Sequence, residues 1–327
     1  MVRRPYPVFL TAAMLCALAG CGAAPADPNA AATYPPEFPY SLTFDADGEL
    51  YALSAMKGVF KRQSDGTFVQ FIANDDQRIS GASKIRFVSG SFFIFGNDYA
   101  VRYDSAGEFQ NTVFDPNDLD RLGALWTTDF AVDSQGRVYV SLDYPAGVED
   151  TVVYRYDADG ANETAIIDYD EGSVIIGEFL AIGPDDSLYA ADPFSVHKFD
   201  ANGNFVAMVV EQPEHGLDRT GGLAVNSDGQ VYVWNADQTA DGVNRSSLMQ
   251  FDAAGEYQDN ALEAQAIFDA QVGGIVWDLV PDPQNRLYHI DAYGNIYRIV
   301  NGQFEMVADF PEFDTKQIAE PAEQWVE

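Results

Sequence analysis

The chain predicts an all-β fold, a six-bladed β-propeller of four-stranded antiparallel blades. Three observations carry this: a phrase that recurs six times, a second hairpin after each copy, and a spacing that fits one blade. The clearest copies are LTFDADGELY at 42–51, FAVDSQGRVY at 130–139 and LAVNSDGQVY at 223–232. Looser copies end at Phe93, Tyr189 and Tyr288. Self-similarity at a fixed period identifies a repeat architecture before any other signal, and favours a propeller over a β-sandwich.

Each phrase reads as two strands joined by a tight turn, because apolar and polar residues alternate around it. The second hairpin follows at Val59 and Phe68, then at Val101 and Phe109. It returns after a longer insertion at Tyr154 and Tyr156, then at Val196 and Phe205, at Leu248 and Tyr257, and at Ile296 and Phe304. Its turns end in glycine at 66, 107, 160, 203, 255 and 302. Asp or Asn at the head of a turn accepts backbone N–H groups two residues on, and the closing Gly takes positive φ without a Cβ clash. Two hairpins make a four-stranded sheet with two faces to bury. Six such sheets set radially cover one another and shorten their open edges. The aromatics at 51, 139, 189, 232 and 288 read as packing between blades. Gln303 onward can supply a fourth strand for the last blade, so closure needs no obligatory strand exchange between the ends, and residues 34–40 are a further candidate to add to that blade. No stretch after residue 25 shows a sustained capped helical pattern.

The segment GLAVNSDGQVYV at 222–233, followed by LMQFDAAGEY at 248–257, resembles an NHL-type repeat. Similar repeats occur in the six-bladed class that includes the SMP-30/gluconolactonase-like proteins, and the resemblance covers residues 38–310. It implies the propeller fold. In lactonases of that class it also implies a metal held by acidic and Asn side chains at the channel mouth, just before the innermost strands. Here Glu37 before Pro39 is similar to the first-blade ligand. Gly221 stands where the class has Asn, and Trp277 where it has Asp.

Aligning the repeats on their Gly and Tyr residues puts Ser41, Asp129, Gly222 and Asp278 at one position, with Lys84 in the second repeat and Phe179, beside Glu178, in the fourth. Asp129 and Asp278 are thus candidate metal and ligand-binding residues at the channel mouth, with Lys84 and Glu178 beside them. Two close carboxylates would raise one pKa and suit acid–base work. The blander expectation for both is a solvated rim position. Function should lie where the copies differ: at Asp129, Glu178 and Asp278, and in the insertions at 143–151 and 236–247.

Other chemistry is sparse. His197, His215 and His289 are the only histidines, two of them in strand positions. There is no nucleophile elbow and no zinc spacing. Calcium is the metal that the abundant carboxylates would suit. The turns at 45–48 and 157–160 resemble parts of a calcium loop but lack its remaining ligands, and hairpin chemistry explains them. Residues 115–120 form a denser oxygen-rich stretch that reads as a loop.

The first residues read as an export signal: Arg3 and Arg4 precede an apolar segment at 8–18 that is too short to span a membrane. Leu18, Ala19, Gly20 and Cys21 then resemble a bacterial lipoprotein box. The resemblance implies cleavage before Cys21 and acylation of that residue, with a membrane partner through the lipid. Gly22 in the next position resembles the outer-membrane sorting pattern. The expected organisation is a signal peptide at 1–20, a lipidated flexible tether at 21–37, the propeller at 38–310 and a tail at 311–327. The expected location is the bacterial cell envelope, at the outer membrane.

Net charge is −33. Such a chain is a poor partner for nucleic acid and for an anionic membrane face, so the lipid would do the anchoring. Two functional readings follow. The first is a non-enzymatic binding or scaffold lipoprotein with a protein or small-molecule ligand. The second is a calcium-dependent lactonase or hydrolase working at the channel mouth.

Overall fold

The computed structural model describes residues 39–74, 77–145, 151–168, 178–211, 216–236, 246–269, 278–291 and 294–308. The expected signal peptide, Cys21 and its tether, the tail at 311–327, Glu37, His215 and Trp277 lie outside the described residues. Blade 1 consists of β1 (Pro39–Phe44), β2 (Leu50–Ser54), β3 (Gly58–Arg62) and β4 (Phe68–Ala73). Blade 2 has β5 (Lys84–Val88), β6 (Ser91–Phe95), β7 (Ala100–Asp104) and β8 (Phe109–Phe114). Blade 3 has β9 (Trp126–Val132), β10 (Val138–Asp143), β11 (Thr151–Tyr156) and β12 (Thr164–Asp168). Blade 4 has β13 (Phe179–Ile182), β14 (Leu188–Ala191), β15 (Ser195–Phe199) and β16 (Phe205–Glu211). Blade 5 has β17 (Thr220–Val225), β18 (Val231–Asn235), β19 (Ser247–Phe251) and β20 (Tyr257–Leu262). Blade 6 has β21 (Asp278–Pro281), β22 (Leu287–Ile290), β23 (Ile296–Val300) and β24 (Gln303–Ala308).

Every sheet is antiparallel and uses four consecutive strands. The first strands touch in a closed circuit, β1 to β5, β9, β13, β17, β21 and back to β1. They line the axis, and the sheets radiate from them as the expected six blades. Among the described residues no strand is exchanged between first and last blade; β24 completes blade 6 locally.

Position within the blade explains the composition of each strand. The second strands lie inside the sheet and have both faces covered by neighbouring blades. They are accordingly apolar almost throughout, as in Phe92, Phe93, Ile94 and Phe95, all buried. The outermost strands are exposed or half-buried over most of their length, as in β8 and β20. Each pairing of third and outermost strand carries a register shift. Such irregularities raise the local twist and blunt an open edge.

The core is six inter-blade clusters. Tyr51, Phe93, Tyr139, Tyr189, Tyr232 and Tyr288 each enter a different one, facing the next blade round the ring. The phrase-ending aromatics are therefore packing, as the repeat implied. The hydroxyls of Tyr51 and Tyr139 donate to Asp45 Oδ2 and Asp133 Oδ2 of their own turns, at 3.1 and 3.2 Å. His289 is fully buried, with its ring 5.3 Å from Trp234 and near parallel to it. Burial pushes its pKa down to about 3, although the Asp278 main chain and charge favour the proton. His289 is thus a neutral core residue.

Two short helices depart from the all-strand expectation: α1 (Pro116–Leu122) and α2 (Ala264–Asp269). They are too short for a periodic signal. In α1, Asp115 is the N-cap, accepting from Asn117 N, while the Asp118 side chain accepts from Asp115 N. Gly123 closes the helix at φ 72°. The oxygen-rich stretch at 115–120 is a capped helix start rather than a loop.

Turn chemistry is as expected: Asp45 Oδ1 accepts from Asp47 N and Glu49 N, and Asp252 Oδ1 from Ala254 N and Glu256 N. Blades 4 and 6 replace the glycine that closes the first turn with Asp186 and Asn285, at φ 59° and 62°. Their side chains clasp the previous blade. Asp186 accepts from Ser134 N and Oγ, at 2.9 and 2.8 Å. Asn285 Oδ1 accepts from Ser227 N and Oγ at 2.9 and 2.7 Å, and its amide donates to Asp228.

Asn285→Ala should lower stability by about 1–2 kcal/mol, since it loses the clasp and keeps a Cβ at positive φ. Asn285→Gly loses the clasp alone and should cost about half as much. Equal melting temperatures for the two variants would show that backbone conformation contributes nothing.

Candidate functional site

The two ends of the propeller differ. Tight turns close one end. At the other, the first strands begin and the outermost strands end, so consecutive blades are joined there, through 77–83 and 115–125 among the described residues; most of the insertion at 236–247 lies outside the described residues. The aligned positions 41, 84, 129 and 278 lie at this loop-bearing end, each at or near the start of a first strand.

Asp278, the first residue of β21, is 4 % exposed. Its Oδ2 accepts from the Ser41 hydroxyl, from Leu42 N at 3.2 Å and from Arg86 Nη1 at 2.9 Å. Its Oδ1 accepts from Arg86 Nη2 at 2.8 Å. Ser41 Oγ in turn accepts from Ile85 N at 3.1 Å. One carboxylate thereby joins blades 6, 1 and 2. Burial alone would raise its pKa; the Arg86 charge and hydrogen bonds, with Lys84 and Ser41, outweigh that and hold it below the usual carboxylate range.

Asp129, in β9, is 6 % exposed. Its Oδ1 pairs with Lys84 Nζ, and its Oδ2 accepts from Leu180 N at 2.8 Å. It joins blades 2, 3 and 4. The structure therefore brings Lys84, Asp129 and Asp278 together, around Arg86. It corrects the expectation of solvated rim residues: both carboxylates are buried and fully hydrogen-bonded. In blades 3 and 6 the aligned position carries an anion, and strands of the neighbouring blades present cations and backbone N–H groups to it.

Glu178 stands apart, with Oε1 3.4 Å from Arg219 Nη2. Burial raises its pKa, Arg219 opposes this, and the Asp192 charge adds to the rise. Nearby, Ser195 Oγ lies 2.7 Å from both Asp192 Oδ2 and His197 Nε2. The serine sits between acid and imidazole, whereas a nucleophilic relay needs the imidazole in the middle. His197 is a packed strand residue that contacts Phe205.

Arg86 and Arg219 were missed in the sequence, and Ser41 stood there only as an aligned position without a role. A signal for Arg86 was present: it lies two residues after Lys84, so strand period puts both on the same face. Its partner could not be read, because Asp278 is 192 residues away in the chain.

A calcium ion at Asp129 or Asp278 would compete with partners already in place. Both oxygens of Asp129 and of Asp278 already accept from N–H or O–H donors, and two cations neutralise them. No group of three or more His, Cys, Asp or Glu side chains suited to a metal occurs among the described residues. Gly221 brings no side-chain oxygen.

No protein-family model and no curated protein matches the chain. Solved structures do match. A gluconolactonase from Xanthomonas campestris is 14 % identical, with TM-score 0.51, covering 78 % of this chain and 83 % of its own. A luciferin-regenerating enzyme is 13 % identical, with TM-score 0.52, covering 79 % and 85 %. A structure of YCF48 bound to a D1 peptide is 12 % identical, with TM-score 0.52, covering 80 % and 78 %. The chain is thus a six-bladed propeller with structural neighbours in the gluconolactonase class, and at these identities the likeness is one of fold.

Removing one member of a buried ion pair costs about 3–5 kcal/mol. Asp278→Asn should lower neutral-pH stability by about that amount in urea unfolding. A carboxylate with a depressed folded pKa stabilises above its unfolded value, about 3.9, and loses that contribution as pH falls through the folded value. The gap between wild type and variant should hold from about pH 7 to 5 and narrow below about 4. A gap constant down to about pH 2 would refute the ion pair as its cause.

Proposed function

We propose that the chain is a non-catalytic binding propeller of the bacterial cell envelope, taking a small-molecule or protein ligand on its loop-bearing end. One observation carries this reading. The channel-mouth carboxylates are tied up holding blades together, while the same end bears the connections between blades and the exposed side chains of Met56, Leu125, Trp126 and Phe194. Exposed apolar side chains at this end fit a recognition surface, although Val69, Phe205, Val206, Met208 and Met306 are exposed along the outermost strands as well. The charge of −33 turns the ligand range away from nucleic acid.

A calcium-dependent lactonase or hydrolase is the second reading. The likeness to a gluconolactonase favours it, and of the two readings it is the one the fold comparison supports better. The chemistry of the channel mouth supports the first. The two separate in solution. Under the binding reading, calcium leaves the melting temperature unchanged and gluconolactone is not turned over. A rise in melting temperature with calcium, together with chelator-sensitive turnover, would establish the second, because a ligand that binds only the folded state must stabilise it.

The address is part of the proposal. Leu18, Ala19, Gly20 and Cys21 support lipidation at Cys21, and several acyl chains would hold the protein at the outer membrane where one would be marginal. Labelled palmitate should enter the wild type and fractionate with outer membranes. Cys21→Ser should lose both label and membrane association; label retained in that variant would sink the assignment.

A further inference from the structure

We infer that blades 2 and 3 form a groove for a neutral oligosaccharide that starts on the loop-bearing end and runs down the outer side of blade 2, an inference that rests on the binding reading and gives it a ligand class. A cleft of about 320 Å³ is lined by Ser80, Asn97, Asp98, Tyr99, Leu125 and Trp126. A second, of about 420 Å³, shares Ser80, Asp98 and Tyr99 with it and continues past Arg78 to Phe109. Together they make one elongated groove with a flat surface at each end. Trp126 is 40 % exposed at one end. At the other, the Arg78 guanidinium lies 4.1 Å over the Phe109 ring.

The walls are fixed before any ligand arrives. Thr127 N donates to Asn97 O at 2.9 Å and Thr127 Oγ1 lies 3.0 Å from the same oxygen, tying the β6–β7 turn to β9. Leu125 N donates to Asp143 O at 2.8 Å. The Tyr99 ring lies against Gly96, where a Cβ would come within 2.3 Å of it, and the Tyr99 hydroxyl reaches Ser80 O at 3.3 Å. Burial, and then the Asp98 charge, raise the pKa of this phenol, so it stays a donor. A preorganised site loses less to ordering on binding.

The lining suits a sugar. An indole face covers the apolar face of a pyranose, and carboxamide and carboxylate groups bridge neighbouring hydroxyls. Asn97 and Asp98 are exposed, and neither side chain makes a hydrogen bond among the described residues. Asp98 on a chain of charge −33 disfavours an anionic glycan. A peptide docking by strand addition needs an open ladder. The part of the groove beside Trp126 crosses strand ends, where Gly96, Leu125 and Thr127 already use their N–H groups, while the part towards Phe109 follows the outermost strand β8.

The test uses the whole mature chain with cellotetraose, maltotetraose and chitotetraose, followed by tryptophan emission and titration calorimetry. At least one should bind saturably. Trp126→Ala and Asp98→Ala should each weaken it about tenfold or more, and Trp126→Phe should retain part of the affinity. Trp126 is half exposed, so unchanged melting of these variants separates lost binding from lost folding. No saturable binding by any probe at about 10 mM overturns the inference, as does affinity indifferent to both alanine variants. A peptide library captured with the same Trp126 sensitivity also overturns it. Saccharide protection from hydrogen exchange elsewhere on the loop-bearing end removes this groove and leaves the binding reading standing. Calcium-dependent lactone turnover would remove the binding reading instead.

Discussion

The contact between the last blade and the first is the constraint on which the ring depends. Six sheets radiating from one axis bury both faces only if the circuit is closed. Among the described residues no strand crosses the join, and side chains close it. Leu42 and Phe44 of blade 1 pack with Val280, Tyr288, Ile290 and Ile296 of blade 6. Asp278 adds polar bonds to Ser41 and Leu42 and reaches one blade further to Arg86. Apolar burial supplies the driving force, and the buried carboxylate fixes which strand starts meet.

Charge placement follows from the same constraint. A chain this acidic repels itself, and its scarce cations lie where they do most. Lys84 and Arg86 share one strand and neutralise two carboxylates from two other blades. Arg137 and Arg286 do the same within their own turns, against Asp133 and Asp282. What resembles a ligand-binding ring from the anions alone is a set of inter-blade ties once the cations are counted.

The frame was legible in the sequence because it is repeated. Alternation, Asp-headed turns and a terminal aromatic recur in every copy, and each recurrence confirms the last. The tie between Asp278 and Arg86 was not legible: its halves are far apart in the chain, and each occurs once. Nor was α1, whose single capping box resembles an oxygen-rich loop until backbone geometry shows which N–H groups its carboxylates accept. The clasps of Asp186 and Asn285 sit where a repeat reader sees only a substitute for glycine. The Trp126 groove was illegible for a further reason. Its Trp126 half is lined by the β6–β7 turn, the approach to β5 and the entry to β9, three connections with no counterpart in the repeated phrase.

Local completion of blade 6 has a mechanical meaning. A propeller that shares a strand between its ends is welded, and opening it requires a backbone ladder to be pulled apart. This one is a split washer. Its cut edges are held by adhesion between side chains, with the backbone ladders on both sides intact. Separation at that cut leaves every sheet whole, so six complete sheets can part and rejoin without any strand finding a new partner. A ring of this kind tolerates radial strain at one known place, and its pieces keep their register when it yields.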